Sequence, residues 1–108
     1  MGDMSVTVVV VNFNTVGVLE KSLGNLEKGV QVVVVDNAST DGSAEMVRQK
    51  FPEAEVVALK KNVGLAAGNN VGLRKARGRY VLFMGSDAFP QRGVIAGLAG
   101  YLDRHLKV

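Results

Sequence analysis

The sequence predicts an α/β domain of three layers, α/β/α, built on a mostly parallel sheet of about four strands. Short valine-rich runs recur along the chain, and segments with apolar residues at helical spacing separate them. In addition, the run Val32-Val33-Val34-Val35 is β-branched without alternation, the pattern of a strand buried on both faces.

The first strand is expected over Thr7–Val11. A helix follows over Val16–Glu27, where Val18, Leu19, Leu23 and Leu26 fall at helical spacing. The second strand is Gln31–Asp36. Its helix, Ser43–Phe51, sets Met46, Val47 and Phe51 on one side and stops at Pro52. Glu55–Leu59 is the third strand, and the Gly- and Ala-rich stretch Gly64–Arg77 the third helix. Tyr80–Met84 is the last strand. Val94–Leu106 is the last helix, with Ile95, Leu98, Leu102 and Leu106 as its stripe. Alternation at this spacing implies βαβ units with right-handed crossovers.

The 108 residues make one domain, read as 5–108, with residues 1–4 expected to be a cloning remnant or disordered because a second Met stands at position 4. Hydrophobic content of 47% with 21% charged residues describes a soluble globular chain. The absence of cysteine excludes disulfides and thiolate metal sites. With one histidine, His105, placed near a helix end, neither a zinc site nor a Ser–His dyad is supported. No apolar run is long enough to span a bilayer and no signal peptide is present, so the expected location is cytoplasmic. The net charge is +3. Its clusters, Lys60-Lys61 and Arg74 to Arg79, read as solvated faces or as a field favouring a phosphorylated ligand. No aromatics interleave with them, which argues against a nucleic-acid partner.

In a parallel sheet, ligands bind beyond the carboxyl ends of the strands. Three such ends are polar: Asn12-Phe13-Asn14-Thr15, Asp36 to Asp41, and Gly85-Ser86-Asp87. Asn14 or Thr15 can cap the first helix and Asp41 the second; for Thr15 and Asp41 capping and ligand contact are compatible. Asp36 ends its strand with no helix to cap. Asp87 follows Tyr80–Met84 in the same way, as a turn former or as a carboxylate for Mg²⁺ or Mn²⁺ assisted by ligand phosphates. The small residues of Asn62-Val63-Gly64-Leu65-Ala66-Ala67-Gly68-Asn69-Asn70 permit close approach of a ligand, or tight helix–sheet packing.

Taken in order, Val8 to Asn14, Val34 to Ser43, Asn62 to Asn70 and Gly78 to Asp87 resemble the family-2 glycosyltransferases, inverting enzymes with the GT-A fold. The likeness covers nearly the whole chain from Ser5 onward. It implies a Rossmann-like half of that fold, binding a nucleotide-diphosphate sugar with Mg²⁺ or Mn²⁺. By the same resemblance Asn12 and Asn14 lie beside the nucleotide, Asp36 contacts base or ribose, and Asp41 orders its loop. Gly64, Gly68 and Asn69 shape the donor pocket. Ser86 lies in the same donor site, and Asp87 is the last acid of a DXD-type motif and the metal ligand. Gly85 stands where the family usually carries Asn or Asp, and Ala88 where a hydroxyl is common. The expected function is donor binding for inverting transfer of a sugar to an acceptor hydroxyl. The acceptor half and the catalytic base, usual further along family members, are expected to be missing here. The resemblance also admits peripheral membrane association of the parent enzyme and a homodimer. The alternative is a non-catalytic nucleotide-binding or assembly module. A dinucleotide-dependent oxidoreductase is disfavoured, because Asn12-Phe13-Asn14-Thr15-Val16-Gly17 is not its glycine fingerprint. A phosphoacceptor receiver domain is disfavoured too, since it wants an acidic pair after the first strand.

Overall fold

The computed structural model describes residues 5–91 and 93–105. Four strands and four helices alternate: β1 (Val6–Asn12), α1 (Val16–Gly24), β2 (Gln31–Asp36), α2 (Ser43–Lys50), β3 (Glu55–Ala58), α3 (Gly64–Lys75), β4 (Tyr80–Gly85) and α4 (Val94–His105). The sheet order is β3-β2-β1-β4 and every pairing is parallel. The expected α/β class and its parallel sheet are therefore present.

Valine parity builds the layers, because successive side chains of a strand point to opposite faces. Val8, Val10 and Val34 pack with Leu19, Leu23, Met46, Val47 and Ile95, beneath α1, α2 and α4. Val9, Val33 and Val35 face the other way, with Val71 of α3 packed against them. The chain runs outward from β1 to β3, then α3 carries it back to the far side of β1. That reversal puts the topological switch point between β1 and β4, where ligands of open α/β sheets bind.

Helix α3 lies very close to the sheet. A Cβ on Gly72 would meet Val9 Cγ1 at 2.3 Å, and one on Gly68 would meet Val11 Cγ1 at 2.9 Å. Of the two roles left open for the stretch Asn62–Asn70, Gly68 takes tight packing, as does Gly72 just beyond it. Gly64 differs: it has open space around it and φ +88°, a left-handed conformation that favours glycine.

Helix α1 ends at Gly24, short of the expected Glu27. The last turn tightens, with the Leu26 amide bonded to the Leu23 carbonyl. Glu27 is thereby free to cap α4 instead, accepting from the amides of Gly93, Ile95 and Ala96 at 3.0, 3.3 and 3.0 Å. A carboxylate suits a helix N-terminus both as an acceptor and against the dipole. On α4, Ile95 and Ala99 are buried but Leu98 is 53% exposed, because the helix sits toward the sheet edge with one narrow face inward. Leu106 and residues 1–4 lie outside the described residues.

At the amino edge of the sheet a buried polar clasp fixes the return from α3. Thr7 donates to Gln31 Oε1 at 2.6 Å, and the same oxygen accepts from the Arg77 amide. Gln31 Nε2 donates to the Lys75 carbonyl, and the Gly78 backbone amide to Thr7 Oγ1. Every buried polar atom so placed is satisfied, as a low-dielectric interior requires.

Candidate functional site at the carboxyl rim

The three polar strand ends meet at the carboxyl rim. Asn12 lies directly opposite Asp36 in the β1–β2 register, and Val11 opposite Gly85 in the β1–β4 register. Asn12 Nδ2 donates to Asp36 Oδ1 at 3.1 Å. Thr15 Oγ1 donates to Asn12 Oδ1 at 2.5 Å and lies 3.0 Å from Ser86 Oγ. A continuous polar chain thus runs from the β2 loop across β1 to the turn that carries Asp87.

Asp36 is buried and organises its own loop. Ser39 donates to it twice, from its amide to Oδ2 at 3.0 Å and from its hydroxyl to Oδ1 at 2.7 Å. That turn holds Ala38 at φ +65°, a conformation unusual for a residue with a Cβ. Asn12 is wholly buried beneath the same loop. Neither side chain presents itself to solvent; both underlie the rim. Asn14, at φ +54°, is exposed and stitches the loops together: its amide donates to Ser39 Oγ and its Oδ1 accepts from the Thr40 amide.

Asp41 caps two helices at once. Its Oδ1 accepts from the Ser43 amide at 3.0 Å and from the Ser43 hydroxyl, and its Oδ2 accepts from the Val16 amide at 3.0 Å. Thr15, the residue before α1, makes no capping bond of its own. Burial is the largest single influence on the Asp41 carboxyl and pushes its pKa up, but the Ser43 hydroxyl and the Val16 and Ser43 amides outweigh it and hold the value below 3.8. A depressed folded pKa gives stability that is full above the unfolded value and is lost as pH falls through the folded one. Chemical denaturation at about pH 6 and about pH 3 should therefore differ less in Asp41→Asn than in the parent chain. The difference will be below about 1 kcal/mol, because solvent screens this exposed carboxylate.

Two residues not singled out from the sequence belong to the same scaffold. Ser39 is one. Asn37 is the other: buried, it donates to the Gly64 carbonyl at 3.1 Å and accepts from the Val63 amide at 2.9 Å, tying the start of α3 to the β2 loop. Ser39 carried a legible signal, since an Asp three residues ahead of a Ser favours a side-chain-closed turn. Asn37 carried none beyond its place at a strand end. Asn69 is half-buried on α3 one residue after Gly68 and has no side-chain bond to this network.

Ser86 and Asp87 occupy a turn closed by the Ala88 amide on the Gly85 carbonyl at 3.1 Å. The fully buried Ser22 of α1 anchors its far end by donating to the Ala88 carbonyl at 2.6 Å. Asp87 itself is exposed. A Cβ on Gly85 would stand 3.1 Å from Asp87 Oδ1, so position 85 directly flanks this carboxylate. Among the described residues no three His, Cys, Asp or Glu side chains gather to hold a metal. The donor set for Mg²⁺ or Mn²⁺ is sparse: Asp87 is its one carboxylate, and neutral oxygens, ligand phosphates and water would supply the rest.

Elsewhere several charged residues are occupied structurally. Asp103 accepts from Tyr80 at 2.7 Å and pairs with Arg79 at 3.3 Å, at the opposite end of β4. The bond to Asp103 raises the Tyr80 pKa. Glu55 pairs with Lys75 and Arg77, and His105 stacks on Tyr101. A cavity of about 900 Å³ opens near Lys28, Phe51 and Glu53 at the amino edge. Of its charged groups Glu27 caps α4, Glu55 pairs with Arg77 and the others are exposed, whereas the carboxyl rim converges polar groups from three loops, which makes the rim the stronger candidate site.

The fold and this rim define an α/β domain whose polar strand ends meet at the switch point, where open α/β sheets bind ligands. The profile of Glycosyl transferase family 2 matches residues 7–108, and the chain belongs to that family. It is 33% identical over 103 residues to the glycosyltransferase GlyA of Streptococcus pneumoniae, covering 89% of this chain and 15% of that protein. It is 31% identical over 112 residues to the poly(ribitol-phosphate) β-N-acetylglucosaminyltransferase TarS of Staphylococcus aureus, covering 94% and 19%. The fold is shared with solved structures. A TarS fragment in complex with UDP-GlcNAc superposes with a TM-score of 0.84 at 29% identity, over 94% of this chain and 32% of that one. A Pyrobaculum calidifontis mannosyltransferase in complex with GDP-Man and Mn²⁺ gives 0.78 at 32% identity, over 91% and 32%. The chain thus spans under a fifth of these curated relatives and about a third of the solved chains. No helix among the described residues is long and apolar enough to cross a membrane.

Proposed function

We propose that residues 5–108 form the donor-binding part of a glycosyltransferase, holding a nucleotide-diphosphate sugar with a divalent cation for inverting transfer to an acceptor hydroxyl. The observation that carries this reading is the hydrogen-bonded chain Asp36–Asn12–Thr15–Ser86, which fixes three loops around the switch point beside Asp87. The complexes of TarS with UDP-GlcNAc and of the mannosyltransferase with GDP-Man and Mn²⁺ support the ligand class.

In this reading Asn12 and Asp36 shape the nucleoside side of the site from beneath. Asn14 and the Asp41-capped loop form its surface, Asn37 holds Gly64 and the start of α3 beside it, and Gly68 sets how closely α3 approaches. Asn69, one residue on, lines the donor wall. Asp87 would hold Mg²⁺ or Mn²⁺ in the manner of a DXD-type motif. When bound, such a cation offsets the charge of the departing nucleoside diphosphate. Acceptor binding and the catalytic base are assigned to no residue of this chain. A cytoplasmic setting and peripheral membrane attachment of the parent enzyme belong to the same reading. So does a homodimer, supported by the position of β4 at the sheet edge, with no strand paired to its outer side among the described residues, and by the exposed Phe83 on it.

Gly85 favours a second reading, a non-catalytic nucleotide-binding or assembly module, because it leaves position 85 without a side-chain ligand to accompany Asp87. Calorimetric titration with UDP and GDP, with and without Mn²⁺, separates the two. The donor-site reading expects Mn²⁺-dependent binding that weakens at least about tenfold in Asp87→Ala. Binding indifferent to both Mn²⁺ and Asp87 supports the module, and no binding of either nucleotide removes the donor-site reading.

A further inference from the structure

The polar chain at the rim fixes the direction of each proton along it. The Asp36 carboxylate only accepts, so the end of Asn12 turned to its Oδ1 is the NH₂ group. Asn12 therefore shows its carbonyl oxygen to Thr15, which donates its single hydroxyl proton to it. Thr15 Oγ1 is left with lone pairs for Ser86 Oγ, 3.0 Å away, and in that contact Ser86 becomes the donor. The one proton of Ser86 is thereby committed inside the protein, and only its lone pairs are available to a ligand.

We infer that Thr15 is a positioning residue that makes Ser86 a pure acceptor, and that Ser86 Oγ faces the divalent cation as a second oxygen beside Asp87. This rests on the donor-site reading above. A hydroxyl with its proton committed elsewhere cannot donate to a phosphate oxygen, but it suits a hard cation, which takes neutral oxygens as well as carboxylates. It also offers an oxygen where Gly85 offers none. The order of the relay matters: a carboxylate at its start, an amide next and two hydroxyls after it leave no alternative direction.

The test measures Mn²⁺ binding to the full chain by the electron paramagnetic resonance of unbound Mn²⁺, alone and with UDP or GDP. Ser86→Ala and Thr15→Val should each weaken Mn²⁺ binding about fivefold, the scale of one hydrogen-bonded oxygen. Thr15→Ser, which keeps the hydroxyl, should stay within about twofold of the parent chain. Unchanged Mn²⁺ affinity in Ser86→Ala or Thr15→Val overturns the assignment. So does a Thr15→Ser variant as weak as Thr15→Val, or a Ser86→Ala variant that loses nucleotide affinity equally with and without Mn²⁺, since Ser86 would then serve the nucleotide itself. Failure of the parent chain to bind UDP or GDP removes the donor-site reading and this assignment with it, whereas a parent chain that binds nucleotide with Mn²⁺ and is unaffected by Ser86→Ala overturns the assignment alone.

Discussion

Gly72→Ala will lower the stability of the domain by about 1–3 kcal/mol, although alanine is the better helix former. The new methyl would sit 2.3 Å from Val9 Cγ1, 3.2 Å from Val9 Cγ2 and 3.3 Å from Val35 Cγ2. Both valines are fully buried on the two central strands and cannot turn aside, because their other neighbours are equally close-packed. Helix α3 must therefore lift, and the layer over Val9, Val33 and Val35 loosens. Gly97, in α4, provides the matched control. Nothing lies within 4 Å of the Cβ it would gain, so Gly97→Ala should stabilise by up to about 1 kcal/mol through helix propensity alone. The same substitution at two helical glycines is thus expected to act with opposite sign. Urea denaturation of both variants measures this directly. A Gly72→Ala midpoint at or above that of the parent chain would show that α3 does not bear on the valines as described.

The glycine comparison also marks the limit of what the sequence made legible. The valine runs and the helical stripes were enough for the class, the element order and a parallel sheet, because burial on both faces of a central strand demands β-branched residues at consecutive positions. Small residues are ambiguous in a different way. Gly64, Gly68 and Gly72 look alike in the sequence, yet the first answers to a backbone angle and the other two to side chains on β1 and β2 that only the fold brings near. Glu27 was invisible for a related reason. Its spacing continued α1, but its partners are amides 66 to 69 residues further along the chain. At the rim, the sequence located the loops and most of the polar side chains. It did not reveal depth. Asp36 and Asn12 read as groups facing a ligand, whereas the structure buries both and leaves Asn14, Thr15, Ser86 and Asp87 nearer the surface.

Asp36→Ala should be the most damaging single change at the rim, acting on the fold and the site together. It removes the acceptor from Asn12 Nδ2, from the Ser39 hydroxyl and from the Ser39 amide. Asn12 is wholly buried and its Nδ2 keeps only a 3.4 Å contact with Ser39 Oγ, while Ser39 is half-buried and water can reach it, so the expected cost is about 2–4 kcal/mol. Asp36→Asn keeps the shape and one carbonyl oxygen but turns an NH₂ group toward a donor, either the Ser39 amide or Asn12. Its cost should be smaller, about 1–2 kcal/mol. The site should respond in the same order, because without a carboxylate at its head the relay no longer fixes which end of Asn12 meets Thr15. Mn²⁺-dependent affinity for UDP or GDP should fall from the parent chain to Asp36→Asn and further in Asp36→Ala, measured where each variant remains folded. Asp103→Ala supplies the contrast. Its carboxylate is bound to Arg79 and Tyr80 at the amino edge, so nucleotide affinity should change by less than about twofold. An Asp36→Ala variant as stable as the parent chain would contradict the buried network. One that is destabilised yet binds nucleotide normally would show that Asp36 holds the loop without shaping the site.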